Sequence, residues 1–358
     1  MDIRTEPITG PSVWYGDDLL ADRSWELSLA DTHIAELARA LEVVKRRGLT
    51  LAQMTCDDFP LPILSPLIGV IIDELRDGRG FACVRNFPVS EYSLQDLEIM
   101  YWGFCAHLGT GLTQNGDAGL IHYVTDGRLQ PNQGRRGVGF PQETKLHIDL
   151  TDMVALLCVR QAPDQPLSRV ASSMTVYNEL LKRRPDALPR LYAGYEWDRM
   201  DEHGVNEDPS SGYRIPLFSQ TNGVVSCQYN RNWMVKAAER HGRPLTNNDT
   251  ATLDLIDNIA REICCEFPFR AGDIQFCNNY TVLHGRSAHA VVGEEERKRL
   301  LMRIWFDMPN VRQFFDEAIV RYGNGRHGQI GWSAADLTAG DHLRPRHRRA
   351  DGAVLAER

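Results

Sequence analysis

In the first third of the chain apolar residues recur at helical spacing. Ile34, Leu37, Leu41 and Val44 predict an amphipathic helix, with Asp31 as its cap and Gly48 just past the basic turn Lys45-Arg46-Arg47. A second helix is expected from Ser65, read as its cap, with Pro66 in the first turn, to about Arg76. Gly78 and Gly80 then interrupt the period. Residues 81–87 read as a short strand, followed by a helix over about 94–107, so this third is expected to form a largely helical cap.

From residue 120 the pattern shortens to runs of β-branched and aromatic residues between turns: 120–124, 153–159, 169–172, 224–229, 267–270, 274–276 and 300–306. So many short strands suggest an antiparallel double sheet. Two helices interrupt it, near 174–182 and 249–265, the second with Leu253, Ile256, Ile259 and Ile263 on one face. The fold class expected is therefore α+β. Neither an internal repeat nor a Gly/Ser linker divides the chain. One domain is expected over 1–340, with a helical cap over about 1–107 and a strand-rich core over about 108–310. The basic stretch at the end, 341–358, is expected to be a flexible tail.

Composition changes this picture little. At 358 residues, with 42% hydrophobic and 25% charged residues, the chain can bury a core without disulfides or a structural metal. The eight cysteines form no CxxC pair and mostly sit among apolar neighbours, as in Ala82-Cys83-Val84, which fits reduced thiols in a cytoplasm. The first residues carry acids instead of an apolar signal segment, and no run is long enough to span a membrane. A net charge of −8 with scattered basic residues argues against nucleic acid and for a small-molecule substrate. The sequence leaves a homo-oligomer open.

Chemistry enters at Lys145-Leu146-His147-Ile148-Asp149-Leu150. Alternate residues of a strand share a face, so His147 and Asp149 can reach one metal ion. A non-haem iron site needs a further imidazole from a distant strand, and His284, after the turn at Gly272-Asp273 and the segment Asn278-Asn279-Tyr280, is the candidate. Downstream, Arg299 and Arg303 lie four apart on an expected strand, sharing one face with Leu301 while Leu300, Met302 and Ile304 face the other way. Two inward guanidiniums are costly unless paired, and carboxylates of bound acids would pair them.

In this order and spacing the residues resemble the taurine dioxygenase and clavaminate synthase-like superfamily of iron(II), 2-oxoglutarate-dependent oxygenases. The resemblance runs from Gly80-Phe81-Ala82-Cys83-Val84-Arg85-Asn86-Phe87-Pro88 through Leu108-Gly109-Thr110, Gln114-Asn115, His147-Ile148-Asp149 and Tyr177-Asn178-Glu179-Leu180 to His284-Gly285-Arg286 and Trp305, about two thirds of the chain. It implies a double-stranded β-helix, or jelly roll, with Fe(II) held by His147, Asp149 and His284 at one mouth. It also implies 2-oxoglutarate and O2 as cosubstrates, with oxidative decarboxylation to succinate coupled to hydroxylation of a C–H bond, or to desaturation, epoxidation or ring closure. Halogenation is disfavoured because the carboxylate ligand Asp149 is present.

By matching position, Arg299 resembles the arginine that binds the distal carboxylate of 2-oxoglutarate, and Ser168 the hydroxyl beside it. The family's Gly-Gly before that hydroxyl is replaced here by Gln165-Pro166-Leu167, so Ser172 and Thr175 stay open. Arg303 resembles the arginine that reaches the cosubstrate or an acidic group of the primary substrate. Glu143, four residues before His147, stands where relatives contact substrate; with Arg303 it would grip an amine and an acid, which suits a small acidic or amino-acid-like molecule. The Gly-rich, polar segment 111–141, with Arg135-Arg136, is a candidate lid. Two rivals remain: a metal-dependent hydrolase, which does not need the paired arginines, and a non-catalytic sensor of 2-oxoglutarate, which does not need the metal.

Overall fold

The computed structural model describes residues 3–127, 140–203, 208–311 and 330–339, together with two short strands at 346–348 and 354–356. The chain opens with α1 (Gly16–Ala21), β1 (Glu26–Ser28), the long helices α2 (Asp31–Arg47) and α3 (Ser65–Arg76), then β2 (Phe81–Arg85) and α4 (Leu94–Ala106). Five strands follow: β3 (Thr110–Leu112), β4 (His122–Thr125), β5 (Thr144–His147), β6 (Met153–Arg160) and β7 (Leu167–Ser172). Next come α5 (Ser173–Arg183), α6 (Leu188–Ala193), the hairpin β8 (Phe218–Thr221) and β9 (Val224–Cys227), α7 (Arg231–Arg240) and α8 (Asn247–Ile263). The chain then returns through β10 (Cys265–Pro268), β11 (Ile274–Asn278), β12 (Val282–Arg286) and β13 (Leu300–Asp307) to α9 (Ala334–Ala339).

Two sheets face each other. The larger runs β1-β2-β11-β6-β13-β3 with β4 also on β13, and the smaller runs β10-β7-β12-β5. All their pairings are antiparallel except β1 with β2. The period-two alternation of each strand sorts its side chains into layers. Phe81, Val154, Leu301 and Trp305 of the large sheet meet Val170, Phe267 and Val282 of the small one in the space between them. On the outer face of the large sheet, Leu157, Ile274, Met302 and Ile304 pack against α2, α3 and α4. Leu146, Ala171 and Leu283, on the outer face of the small sheet, pack against α5 to α8. The result is α+β, with helices outside both sheets. No helix among the described residues is long and apolar enough to cross a membrane.

The first two expected helices form one residue off their expected caps, with Ala30 and Leu64 at the cap positions. The expected helical cap packs behind the large sheet and also contributes to it, because β1 and β2 pair with each other and β2 pairs with β11. The expected lid is partly sheet: β3 and β4 both pair with β13, so that strand satisfies their backbone groups. Residues 128–139 of that segment, including Arg135 and Arg136, lie outside the described residues. So does most of the basic tail, although Arg346–Arg348 (β14) and Val354–Ala356 (β15) pair antiparallel.

Candidate metal centre and its cavity

Strand register builds the site. On the small sheet His284 of β12 stands directly opposite His147 of β5, and both alternate with outward-packed leucines, Leu283 and Leu146. Their rings are 4.6 Å apart between centroids. Gly285 makes this closeness possible, since a Cβ there would lie 2.5 Å from the Thr144 carbonyl oxygen on β5, and the pairing shifts register just past His284.

Asp149 arrives differently from the expected alternation, because β5 ends at His147. Main-chain bonds turn the following residues: Ile148 N–H donates to the Tyr229 carbonyl and Asp149 N–H to Asn279 Oδ1, each at 2.9 Å. Asn279 Nδ2 donates in turn to the Thr151 carbonyl at 3.0 Å. Thus Asn279 braces a ligand from outside the cavity, while Asn278 donates to the Leu75 carbonyl and Tyr280 to Asp152. His147, Asp149 and His284 end with one potential ligand atom each, all within 4.8 Å of one another. The two imidazole Nε2 atoms each lie 3.9 Å from an Asp149 oxygen.

The donor chemistry fits a metal ion. His147 Nδ1 donates to the Lys145 carbonyl at 2.8 Å, which orients the ring with Nε2 toward Asp149. Burial pushes the His284 imidazole down to about 3, so it is neutral and able to ligate. Burial works against the Asp149 carboxylate, but the charges of Arg303, His284 and His147 and the Trp305 N–H hold it well below the usual carboxylate range. An anion is therefore built in beside two imidazoles.

A cavity of about 470 Å³ opens on these three residues. Across from them the inward face of β13 contributes Leu301 and Arg303, and Arg299 lies just before the strand. The two arginines share a face, as the sequence predicts, yet their surroundings differ. Arg303 Nη1 donates to Asp149 Oδ2 at 3.1 Å, and its Nε donates to Gln114 Oε1 at 2.8 Å. Arg299 is 7% exposed, and its Nε donates to Gln161 Oε1 at 3.0 Å. Among the described residues no carboxylate bonds to its guanidinium, and burial together with nearby Arg286 pushes it down to about 10.

Ser168 lines the same cavity, and its hydroxyl donates to Gln275 on the facing sheet. Ser172 and Thr175 face elsewhere: their hydroxyls donate to the carbonyls of Ser12 and Trp14 at 2.6 and 2.9 Å. Glu143 also lines the cavity, but its carboxylate pairs with Arg169 on β7 and, at 2.6 Å, with Arg261 on α8. It is not held ready for an amine. Sequence reasoning did not assign Gln114, His122, Gln161 or Trp305 to the site. The parity of Leu301, Arg303 and Trp305 on β13 was the available signal for Trp305; the others have contacts that only the folded strands create.

Two imidazoles and one carboxylate gathered on one side of a cavity define the two-histidine, one-carboxylate class of metal site. A family model, taurine catabolism dioxygenase TauD, TfdA family, matches residues 45–305, and the chain belongs to this family. It is 30% identical over 322 residues to FR-33289 synthase of Streptomyces rubellomurinus, a match covering 88% of this chain and 94% of that one. It is 25% identical over 307 residues to the taurine hydroxylase-like protein SAT17 of Stachybotrys chartarum, covering 82% and 78%. Among solved structures it resembles asparagine oxygenase in complex with Fe(II), a hydroxyasparagine and succinate, with a TM-score of 0.58 at 15% identity, covering 79% of this chain and 93% of that one. The non-heme iron oxygenase OrfP with Fe and alpha-ketoglutaric acid gives 0.57 at 14% identity with the same coverage. At these identities the two structures speak for the fold.

Proposed function

We propose that the protein is an iron(II)- and 2-oxoglutarate-dependent oxygenase that hydroxylates, desaturates or cyclises a small acidic or amino-acid-like molecule. The observation that carries this reading is the pairing of the His147, Asp149, His284 cluster with Arg299, a buried guanidinium that faces the same cavity with no carboxylate hydrogen-bonded to it among the described residues. A hydrolytic metal site has no use for that second element. Family membership supports the reading, as do structural neighbours bound to iron with succinate in one case and alpha-ketoglutaric acid in the other. The core is read as a double-stranded β-helix in one domain over 1–340.

His147, Asp149 and His284 would hold the ion, which supplies activation of O2 coupled to oxidative decarboxylation of 2-oxoglutarate. Arg299 receives the distal carboxylate of 2-oxoglutarate through charge-assisted hydrogen bonds, with the Ser168 hydroxyl beside it. Arg303 works mainly on Asp149, keeping that ligand ionised and oriented. The apolar lining by Val124, Leu156, Leu301 and Phe269 limits water around the reacting C–H bond. Since Glu143 is engaged by Arg169 and Arg261, it is not free to hold the amine of an amino-acid-like substrate.

Anaerobic addition of Fe(II) and then 2-oxoglutarate tests the reading. A weak visible charge-transfer band is expected, followed by succinate release in air. Absence of both overturns it.

A further inference from the structure

Asp149 has two oxygens, and the protein treats them unequally. Oδ2 accepts the Trp305 indole N–H at 2.8 Å and Arg303 Nη1 at 3.1 Å, whereas Oδ1 has only a long contact, 3.4 Å, with the same Arg303 nitrogen. An oxygen that accepts two N–H groups has little lone-pair density left for a metal. The donors are themselves fixed. The Arg303 guanidinium stacks on the Trp305 ring at 4.7 Å, and fully buried Gln114 accepts from Arg303 Nε and donates to the Arg303 carbonyl at 2.7 Å. Trp305 is 1% exposed in the core between the sheets.

We infer that Trp305 is a positioning residue for the metal: its indole N–H, with Arg303, occupies Asp149 Oδ2 and restricts this carboxylate to ligation through Oδ1. The consequence is a ligand that takes one coordination position instead of two. That leaves room for a bidentate cosubstrate and O2 without requiring either to displace a carboxylate oxygen. Losing the N–H frees Oδ2 to rotate onto the ion, and the site then binds metal more weakly and in a different geometry.

This inference rests on the metal reading above, and the experiment separates the two. Metal-free protein is titrated anaerobically with Fe(II), and in parallel with Co(II), whose visible spectrum reports coordination. Wild type is expected to bind one equivalent; if it binds none, the metal reading falls. Trp305→Phe keeps an aromatic ring but no donor, and its dissociation constant for Fe(II) is expected to rise about 10- to 100-fold with a changed Co(II) spectrum.

Trp25→Phe is the control. Trp25 is equally buried in the same intersheet core, its indole N–H donates to the Leu19 carbonyl at 2.7 Å, and it does not line the cavity. It should lower thermal stability by a comparable amount while leaving the affinity and the spectrum as in wild type. If Trp305→Phe does not fold, benzothienylalanine at 305 replaces the N–H by sulfur within nearly the same ring shape. An unchanged dissociation constant and spectrum in the folded variant overturn the inference while leaving the metal reading intact.

Discussion

The two ends of the β13 wall carry the same side chain and meet opposite fates. At the metal end, Arg303 is neutralised from within by Asp149, oriented by Gln114 and stacked on Trp305. At the far end, Arg299 is more deeply set, yet its side chain donates to an uncharged amide, Gln161, and its charged neighbours are another arginine, Arg286, and a carboxylate, Asp126, that does not hydrogen-bond to it. Folding gains little from burying a guanidinium that no carboxylate bonds directly. The difference separates a charge engaged by Asp149 from one that, on the proposed reading, is kept for an incoming carboxylate.

The comparison can be broken most sharply at the metal itself. His147→Ala or Asp149→Ala should abolish both the charge-transfer band and succinate formation, since each removes a ligand; a band persisting in either variant would move the site elsewhere. The two arginines should then diverge. Arg303→Leu strands a buried carboxylate and is expected to destabilise the metal-free protein by about 3–5 kcal/mol, read as a lower midpoint in urea. Arg299→Leu should leave that midpoint unchanged or raise it, because burial and Arg286 disfavour this cation more than Asp126 supports it. The same change should raise the 2-oxoglutarate concentration needed for half-maximal turnover by a factor corresponding to about 2–3 kcal/mol. Equal destabilisation by both substitutions would erase the distinction. The smallest effect is expected at Ser168→Ala, a loss of about 0.5–1.5 kcal/mol in 2-oxoglutarate binding measured by titration, with Ser172→Ala affecting folding instead.

Much of this site was legible in the sequence because it depends on short-range periodicity. A strand alternates faces, so Arg299, Leu301 and Arg303 could be placed together before any fold was known, and the HxD pattern pointed to His147 and Asp149. What stayed hidden depends on which strands become neighbours. Asp149 lies beyond the end of β5 and is aimed by Asn279 and the Tyr229 loop, so the alternation that suggested it is not the geometry that places it. Spacing marked Glu143 as a substrate contact, yet its partners come from β7 and α8, and no local pattern connects them to residue 143. The choice among Ser168, Ser172 and Thr175 turned on where β7 ends. Ser172 closes the strand and caps α5, which turns its hydroxyl away from the cavity.

The glycine at 285 has a wider consequence. Metal–ligand bonds tolerate only about ±0.2 Å, while even a methyl group at this position would force two backbones apart by more than that. Residue 285 therefore acts as a spacer of zero thickness between the strands that carry His147 and His284. Substituting alanine and then larger side chains there would widen the gap stepwise, turning one backbone position into a caliper for how far two imidazoles can separate before the site changes its choice of metal.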